Sequence, residues 1–355
     1  MNLSQLPALR SNSGPVLVTG HTGFKGTWLT LLLEKLGVEV VGFSLSPEKD
    51  SLFDRAGRTG AIKEVFADIR DHELLNTYIN SIKPSAIIHM AAQPLVLESY
   101  RLPKETFDVN VMGTVNVLDS AFKTDSVQAV VVVTTDKVYR NDNSGRAFIE
   151  SDPLEGKDPY SASKVGTEAA VAAWQQIQSI SGGPNIVAVR AGNVIGGGDW
   201  GDNRLLPDLI RSFSSGQKLA VRNPASTRPW QHVLDPLSGY VSALDTILGG
   251  EKISSVNFGP DTQSIAVSEV VRVAVETWGL ETNIELDSSM PKNTTEAISL
   301  DLNPNYAKQT LEWEPCWSQE GAVVSTVQWW DKVLNQGVTP LDACLSDLKQ
   351  ILPQK

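Results

Sequence analysis

Tyr160 and Lys164 stand four residues apart in the run Asp158-Pro159-Tyr160-Ser161-Ala162-Ser163-Lys164, which stacks them on one face of a helix. A lysine cation beside a phenol favours the phenolate and lowers a pKa that is about 10 when unperturbed. Tyr160 is then a base able to take a proton from an alcohol near neutral pH. Alone, the pair is also what an ordinary helix surface presents. It gains weight from the segment before it, where the apolar run Val130-Val131-Val132-Val133 stops at Thr134-Thr135-Asp136-Lys137. A continuous β-branched run is how a parallel strand buried on both faces reads. Ligands of open α/β sheets sit at the carboxyl ends of such strands, so Thr135, Asp136 and Lys137 are expected where chemistry occurs. In an extended strand Thr135 and Lys137 face one way and Asp136 the other. The chain must bend there for all three to serve one site.

A second pattern suits a dinucleotide. Pro15-Val16-Leu17-Val18-Thr19 reads as a short buried strand, Gly20-His21-Thr22-Gly23-Phe24-Lys25-Gly26 as a turn, and Trp28, Leu29, Leu32, Leu33 and Leu36 as a helix that Gly37 closes before the strand at 38–43. Glycines there allow a tight turn and close backbone approach, and the helix N-terminus faces a pyrophosphate. Gly20, Thr22, Gly23, Phe24 and Gly26 are the candidate contacts. An acid normally ends the second strand and holds the ribose of NAD, but here Phe43-Ser44-Leu45 supplies only the Ser44 hydroxyl. No arginine stands there for a 2′-phosphate. Lys25 is read either as a help to NADP or as a solvated helix residue, and NAD is the preferred cofactor. Asp68, with Ile69 at the end of a strand over 65–69, is placed near the adenine edge. Ala91-Ala92-Gln93 ends a strand starting at Ala86, with small residues that admit a cofactor. Asn110, in a long helix over about 104–121, completes that set, and Gln93 is assigned to substrate as well.

These elements imply an α/β fold, a doubly wound parallel Rossmann-type sheet with a smaller, mixed α/β C-terminal substrate domain. A helix over about 159–180, a strand over 186–190, a helix over 234–248 and a short strand at 256–259 that rejoins the first sheet give interleaved domains. The dinucleotide domain is expected to take 1–190 plus about 231–262, and the substrate domain about 191–230 plus 263–355. Residues 1–13 read as a loose polar arm. Residues 190–230 carry six cations (Arg190, Arg204, Arg211, Lys218, Arg222, Arg228) against three acids (Asp199, Asp202, Asp208). Guanidinium forks pair well with phosphates, so a phosphate-bearing substrate is expected. Arg228 is the foremost diphosphate contact, Arg204 and Arg222 are further candidates, and Asn193 is placed beside the sugar or its phosphate. His232 joins the substrate set. Trp200 and Trp230 wall the pocket or fill the core. Trp278, Trp313, Trp317, Trp329 and Trp330 build the smaller core.

The chain has 355 residues, 41% hydrophobic and 20% charged, with a net charge of −11. That acidity disfavours a nucleic-acid partner. Two cysteines, Cys316 and Cys344, argue against a disulfide scaffold and for a reducing cytoplasm. No apolar run approaches the roughly 20 residues of a membrane span, and the start lacks the pattern of a signal peptide. His21, His72, His89 and His232 are scattered without zinc-like spacing, so no metal is expected.

Thr19-Gly20-x-x-Gly23-Phe24-x-Gly26, Thr135-Asp136 and Tyr160-x-x-x-Lys164 resemble the extended short-chain dehydrogenase/reductases over nearly the whole chain. More narrowly, Gly20 to Gly26, Arg190 to Trp200 and Thr227 to Val233 are similar to the CDP-glucose branch of the sugar-nucleotide 4,6-dehydratases. Lys137, where related dehydratases carry glutamate, and the missing acid at Ser44 fit that branch. The resemblance implies an internal redox cycle on CDP-D-glucose with bound NAD, giving CDP-4-keto-6-deoxy-D-glucose and water. Tyr160 would take the C4 hydroxyl proton and Thr135 would hydrogen-bond that oxygen. Asp136 would protonate the departing C6 hydroxyl. Lys137 would move the C5 proton, or else only hold Asp136 or a substrate oxygen. The resemblance also implies a homodimer or homotetramer built through the helices near 104–121 and 159–180, whose apolar stripes serve core or interface. A sugar-nucleotide 4-epimerase, or a dehydratase of another nucleotide sugar, is the alternative.

Overall fold

The computed structural model describes residues 3, 5–142, 144–218, 220–280, 285–287 and 300–352. Five strands open the chain: β1 (Val16–Thr19), β2 (Val40–Ser44), β3 (Lys63–Phe66), β4 (Ala86–His89) and β5 (Ala129–Val133). With Asn185–Ala191 and Ser255–Phe258 they form a seven-stranded sheet, ordered Ser255–Phe258, Asn185–Ala191, β5, β4, β1, β2, β3. All its pairings are parallel. The apolar runs have a physical reason. Val131 and Val133 join one core, while Val130 and Val132 join another on the opposite face, and Val16 and Leu17 divide the same way. Strand order reverses between β1 and β4, so the carboxyl ends of β1, β4 and β5 open onto one crevice.

Ser255–Phe258 pairs with Asn185–Ala191, from Ser255 beside Ala188 to Phe258 beside Ala191. Smaller units lie outside the sheet: Asn193–Ile195 runs parallel to Trp230–His232, and Thr227–Arg228 runs antiparallel to Ile265–Ala266, which follows the last sheet strand. Trp313, Trp329 and Trp330 are fully buried in the larger core, with Trp278 and Trp317 packed against it.

One local reading needs correction and another needs a detail added. The described residues of 1–13 do not form a loose arm. Pro7–Ser11 is helical, Leu3, Leu6 and Leu9 are buried, and Leu9 donates its N–H to Asp245 at 2.8 Å. Spacing of three among those leucines puts them on one side. The helix expected over 104–121 is present as one run, Pro103–Phe107, Asp108–Met112 and Gly113–Phe122, widened by a π-type turn at Asp108–Met112 that the sequence reading did not anticipate. Pro103 opens this run after the short helix Val96–Arg101, which it cannot continue because it lacks an N–H. Asn110, in the wide turn, leaves its carbonyl to accept the hydroxyls of Thr114 (2.7 Å) and Thr167 (2.8 Å).

Candidate active site

β5 keeps its ladder one residue past its end, Thr134 donating its N–H to Val189. The chain then bends through a tight 3₁₀ turn at Asp136–Val138. Within the turn Thr135 Oγ1 donates to Asp136 Oδ1 at 2.8 Å and accepts the Lys137 N–H at 3.4 Å. The bend that the sequence demanded is thus present. Asp136 is buried, and burial pushes its carboxyl above the ordinary value, opposed by the charge of Lys137 and the Thr135 hydrogen bond. A carboxyl that keeps its proton to higher pH is suited to act as an acid. Lys137 is half-buried beside it.

The helix Pro159–Ser181 brings the other pair. Asp158 caps it by accepting the Ser161 N–H at 3.0 Å while Ser161 Oγ accepts the Asp158 N–H at 3.0 Å, and Pro159 takes the first turn. Tyr160 lies within hydrogen-bonding reach of Thr135. Lys164 does not act on the phenol as expected. Its Nζ donates to the Val133 carbonyl at 3.1 Å, and burial lowers its pKa to about 8, opposed by Glu168. Burial instead pushes the Tyr160 phenol up to about 12, against the pull of Thr135 and Arg204. Buried surroundings disfavour both charged forms at once.

The glycine turn fits a dinucleotide phosphate. A Cβ on Gly20 would stand 2.7 Å from the Ala91 nitrogen, and one on Gly26 would stand 2.2 Å from the Gly20 carbonyl oxygen. Both glycines are needed for the turn itself. A Cβ on Gly23 would meet only the Gly20 carbonyl, at 3.4 Å, so that face is open and ready for an anion at the helix N-terminus. Thr22 shares a 2.8 Å hydrogen bond with Ser44, and Phe24 faces Gly196. Ala91 packs its backbone on Gly20, and Ala92 follows in the same loop, half-buried.

Several cofactor assignments change. Asp68 lies just past β3, but Arg70 grips its carboxylate at 3.0 Å through Nε and holds it below the ordinary value. Ile69 turns its side chain into the core against Gly113. Gln93 spends its side chain on Thr106 (2.9 Å) and on the Leu95 N–H, so it does not offer that amide to a ligand. Asn110 is buried and fully committed: Oδ1 accepts the Gln93 N–H at 2.8 Å and Nδ2 donates to Ser163 at 2.8 Å. It braces the 91–93 loop rather than reaching a cofactor. Lys25 is neither solvated nor at the ribose end. It turns inward, 3.5 Å from the Tyr240 hydroxyl, and burial plus the charges of Lys164 and Arg204 lower its pKa to about 8. Tyr240 carries no signal in the sequence.

On the substrate side, a Cβ at Gly192 would stand 3.2 Å from Asp136 Oδ2 and 2.6 Å from Pro229 Cγ. The segments carrying Asn193 and Arg228 therefore border the acid. Arg228 is nearly buried, donates to the Thr227 carbonyl at 2.8 Å, and its charge is felt at Asp136. Arg204 pairs with Asp199 at 3.0 Å while acting on Tyr160 and Lys25. The side chain of Arg222 lies outside the described residues. His232 is not a substrate contact. It is fully buried, stacked on Trp317 at 4.1 Å and edge-on to Trp28 at 6.2 Å. Arg190 leaves the phosphate-binding group too, because its Nε and Nη2 donate to Glu168 at 2.8 Å and its Nη1 donates to the Tyr139 hydroxyl at 2.7 Å. Trp230 fills the core and Trp200 packs on Trp330. The sequence reading missed Glu168, whose spacing of four from Lys164 was the available signal.

The model of the NAD dependent epimerase/dehydratase family matches residues 16–259. The CDP-glucose 4,6-dehydratase of Salmonella typhimurium is 41% identical over 323 residues, which is 88% of this chain and 89% of that protein. A dTDP-glucose 4,6-dehydratase from Streptomyces venezuelae, solved with NAD bound, superposes with a TM-score of 0.77 at 24% identity, over 92% of this chain and 99% of the other. A UDP-glucose 4-epimerase from Stenotrophomonas maltophila, solved with NAD, gives a TM-score of 0.79 at 22% identity, over 92% and 100%. At those identities the two structures speak for the fold.

Proposed function

Since the chain belongs to the NAD-dependent epimerase/dehydratase family, we propose that it is a hydro-lyase that converts CDP-D-glucose to CDP-4-keto-6-deoxy-D-glucose and water. Asp136 carries this reading. It is a buried carboxyl with a raised pKa, beside Thr135 and facing Tyr160 across the same small volume. A 4-epimerase needs Tyr160 and Lys164 but no acid set to protonate a departing hydroxyl. NAD fits the open glycine turn, and when bound it supplies the redox capacity of the cycle.

The chain's own residues divide the proton work. Tyr160 exchanges a proton with the O4 hydroxyl, and Thr135 holds that oxygen. The resulting 4-ketone acidifies C5–H. Asp136 gives its proton to the C6 hydroxyl as water leaves. Lys137, half-buried next to Asp136, accepts the C5 proton in its neutral amine form; as the ammonium it would only hold Asp136 or a substrate oxygen. Arg228, Arg204 and Asn193 receive the diphosphate and sugar, and the 41% identity to a CDP-glucose enzyme supports cytidine as the base.

Among the described residues no helix is long and apolar enough to cross a membrane. We place the enzyme in the cytoplasm as a homodimer or homotetramer. The half-domains are 1–190 with about 231–262, and about 191–230 with 263–355. Exposed Leu97, Tyr100, Phe107 and Met112 on the segments over 96–112 favour a partner surface there. Gel filtration giving only a 38.5 kDa species would remove the oligomer.

The test is purified protein with NAD and, in turn, CDP-glucose, dTDP-glucose, UDP-glucose and GDP-mannose. Product is followed by absorbance in alkali and by the mass loss of one water. Water loss from CDP-glucose alone is the expected result. Exchange at C4 without water loss would make the enzyme an epimerase and relieve Asp136 of its role.

A further inference from the structure

Thr134, Glu168, Arg190, Tyr139 and Asn257 form a buried polar network directly behind the catalytic corner. Arg190 sets Nε and Nη2 on the two carboxylate oxygens of Glu168, each at 2.8 Å, and both side chains are about 5% exposed (4% and 6%). Thr134 Oγ1 donates to Glu168 Oε1 at 2.6 Å. Arg190 Nη1 donates to the Tyr139 hydroxyl at 2.7 Å, which donates in turn to Asn257 Oδ1 at 2.7 Å. The network therefore ties β5, the Pro159–Ser181 helix and the strands Asn185–Ala191 and Ser255–Phe258 together.

Its location gives it a use beyond packing. Thr134 immediately precedes Thr135, and Glu168 lies one helical turn beyond Lys164, on the same face. Lys164 itself bonds the carbonyl of Val133, the residue before Thr134. Glu168 and Lys164 thus reach the same strand end from the same helix, on adjacent residues. A buried ion pair is weak support for stability, since desolvation offsets much of its attraction. A bidentate pair does fix a carboxylate in one place and one charge state.

We infer that Glu168, locked by Arg190 and Thr134, is a positioning residue that keeps Lys164 cationic and seated on the end of β5. Loss of the Glu168 charge leaves a buried lysine near Lys25 with less to hold its proton, so Lys164 becomes neutral at lower pH. Without a fixed Glu168, Thr134 also loses its side-chain anchor, and Thr135 sits next to it.

This inference rests on the reading of the site as a dehydratase centre, but its test has a readout independent of turnover. The pH dependence of reductive methylation at Lys164, mapped by peptide mass, is compared in wild type, Glu168→Gln, Glu168→Asp and the double variant Glu168→Gln/Arg190→Met. The double variant removes both buried charges and keeps the fold accessible if Glu168→Gln alone leaves Arg190 unpaired. The half-labelling pH is expected to fall by about one unit in Glu168→Gln, to fall by less in the double variant, which removes the Arg190 charge as well, and to return in Glu168→Asp. The alkaline limb of CDP-glucose turnover is expected to move the same way. A half-labelling pH unchanged in a folded Gln variant overturns the inference, whether or not CDP-glucose is a substrate. An absence of turnover in wild type, with the labelling shift intact, overturns only the functional reading.

Discussion

Thr135 donates its hydroxyl to the carboxylate of its own chain neighbour, Asp136, at 2.8 Å. Adjacent residues of a strand point to opposite faces, so this bond exists only because the chain leaves β5 and turns at Asp136–Val138. The turn puts the group that would hold O4 and the group that would release water at C6 side by side.

Asp136→Asn removes the acid and keeps its size. Water loss should slow by about 10²-fold or more, the usual worth of a positioned acid. A 4-keto nucleotide sugar that has not lost water should then be detectable by mass. Formation of the 6-deoxy product at near wild-type rate would sink the assignment.

Two glycines of the phosphate turn should fail differently. Gly23 has φ −72° and open space, so Gly23→Ala should keep its melting temperature while calorimetry shows NAD binding weakened about tenfold or more, roughly 1.4 kcal/mol. Gly26→Ala puts a carbon 2.2 Å from a backbone oxygen and should cost roughly 2 kcal/mol of stability or more. Equal melting temperatures for the two variants would contradict this division.

His232 is a packing residue, wedged between Trp28 and Trp317. His232→Ala should lower stability by about 3 kcal/mol, as for other large buried rings. The KM for CDP-glucose measured well below the melting point should stay within about twofold of wild type. A rise in KM at unchanged stability would return His232 to the substrate set.

Asp235 gives a pH signature in stability. It is fully buried, accepts the Cys316 N–H, and burial raises its pKa to about 7. The native state therefore holds a proton that the unfolded chain has released. Its contribution is complete below the unfolded pKa near 3.8 and is lost as pH rises through 7. That loss is roughly 4 kcal/mol at most. Asp235→Asn should show a flatter stability between pH 5 and 8 by denaturant titration at both values. Parallel curves for the two proteins would exclude this role.

How much of this was legible follows from the kind of signal each residue leaves. Val130 to Val133, and the turn Gly20 to Gly26, state their environment through residue type alone, because only a doubly buried strand and a tight phosphate turn use them in that order. Tyr160 and Lys164 were legible as a pair, but the sign of their effect on each other was not. Whether a lysine lowers a phenol depends on what else it bonds, and here that is the Val133 carbonyl. Arg190 read as a phosphate ligand because charge in a sequence carries no partner. Its partner, Glu168, is distant along the chain and arrives only when the helix packs on the sheet. His232 and Gln93 failed for the related reason that a polar side chain in a binding loop can turn inward as readily as outward. Lys25 sits at a helix start that would normally be wet, and only the fold places Tyr240 over it.

The wide turn at Asp108–Met112 has a consequence for evolution by insertion and deletion. It inserts surplus chain into one coil of an otherwise regular helix, and the surplus is absorbed by hydroxyls from Thr114 and Thr167 on the Asn110 carbonyl. Removing one residue there would restore ordinary winding and leave the turns beyond it close to their present phase, because the wide turn holds the extra residue locally. Val117, Leu118 and Ala121 would stay against the sheet, while the brace on the 91–93 loop would go with Asn110. A change of length here would spare the packing on the sheet and unseat the loop that Asn110 holds. Descendants of this fold should therefore conserve the spacing between Asn110 and Thr114 more strictly than the identities of the exposed residues around it.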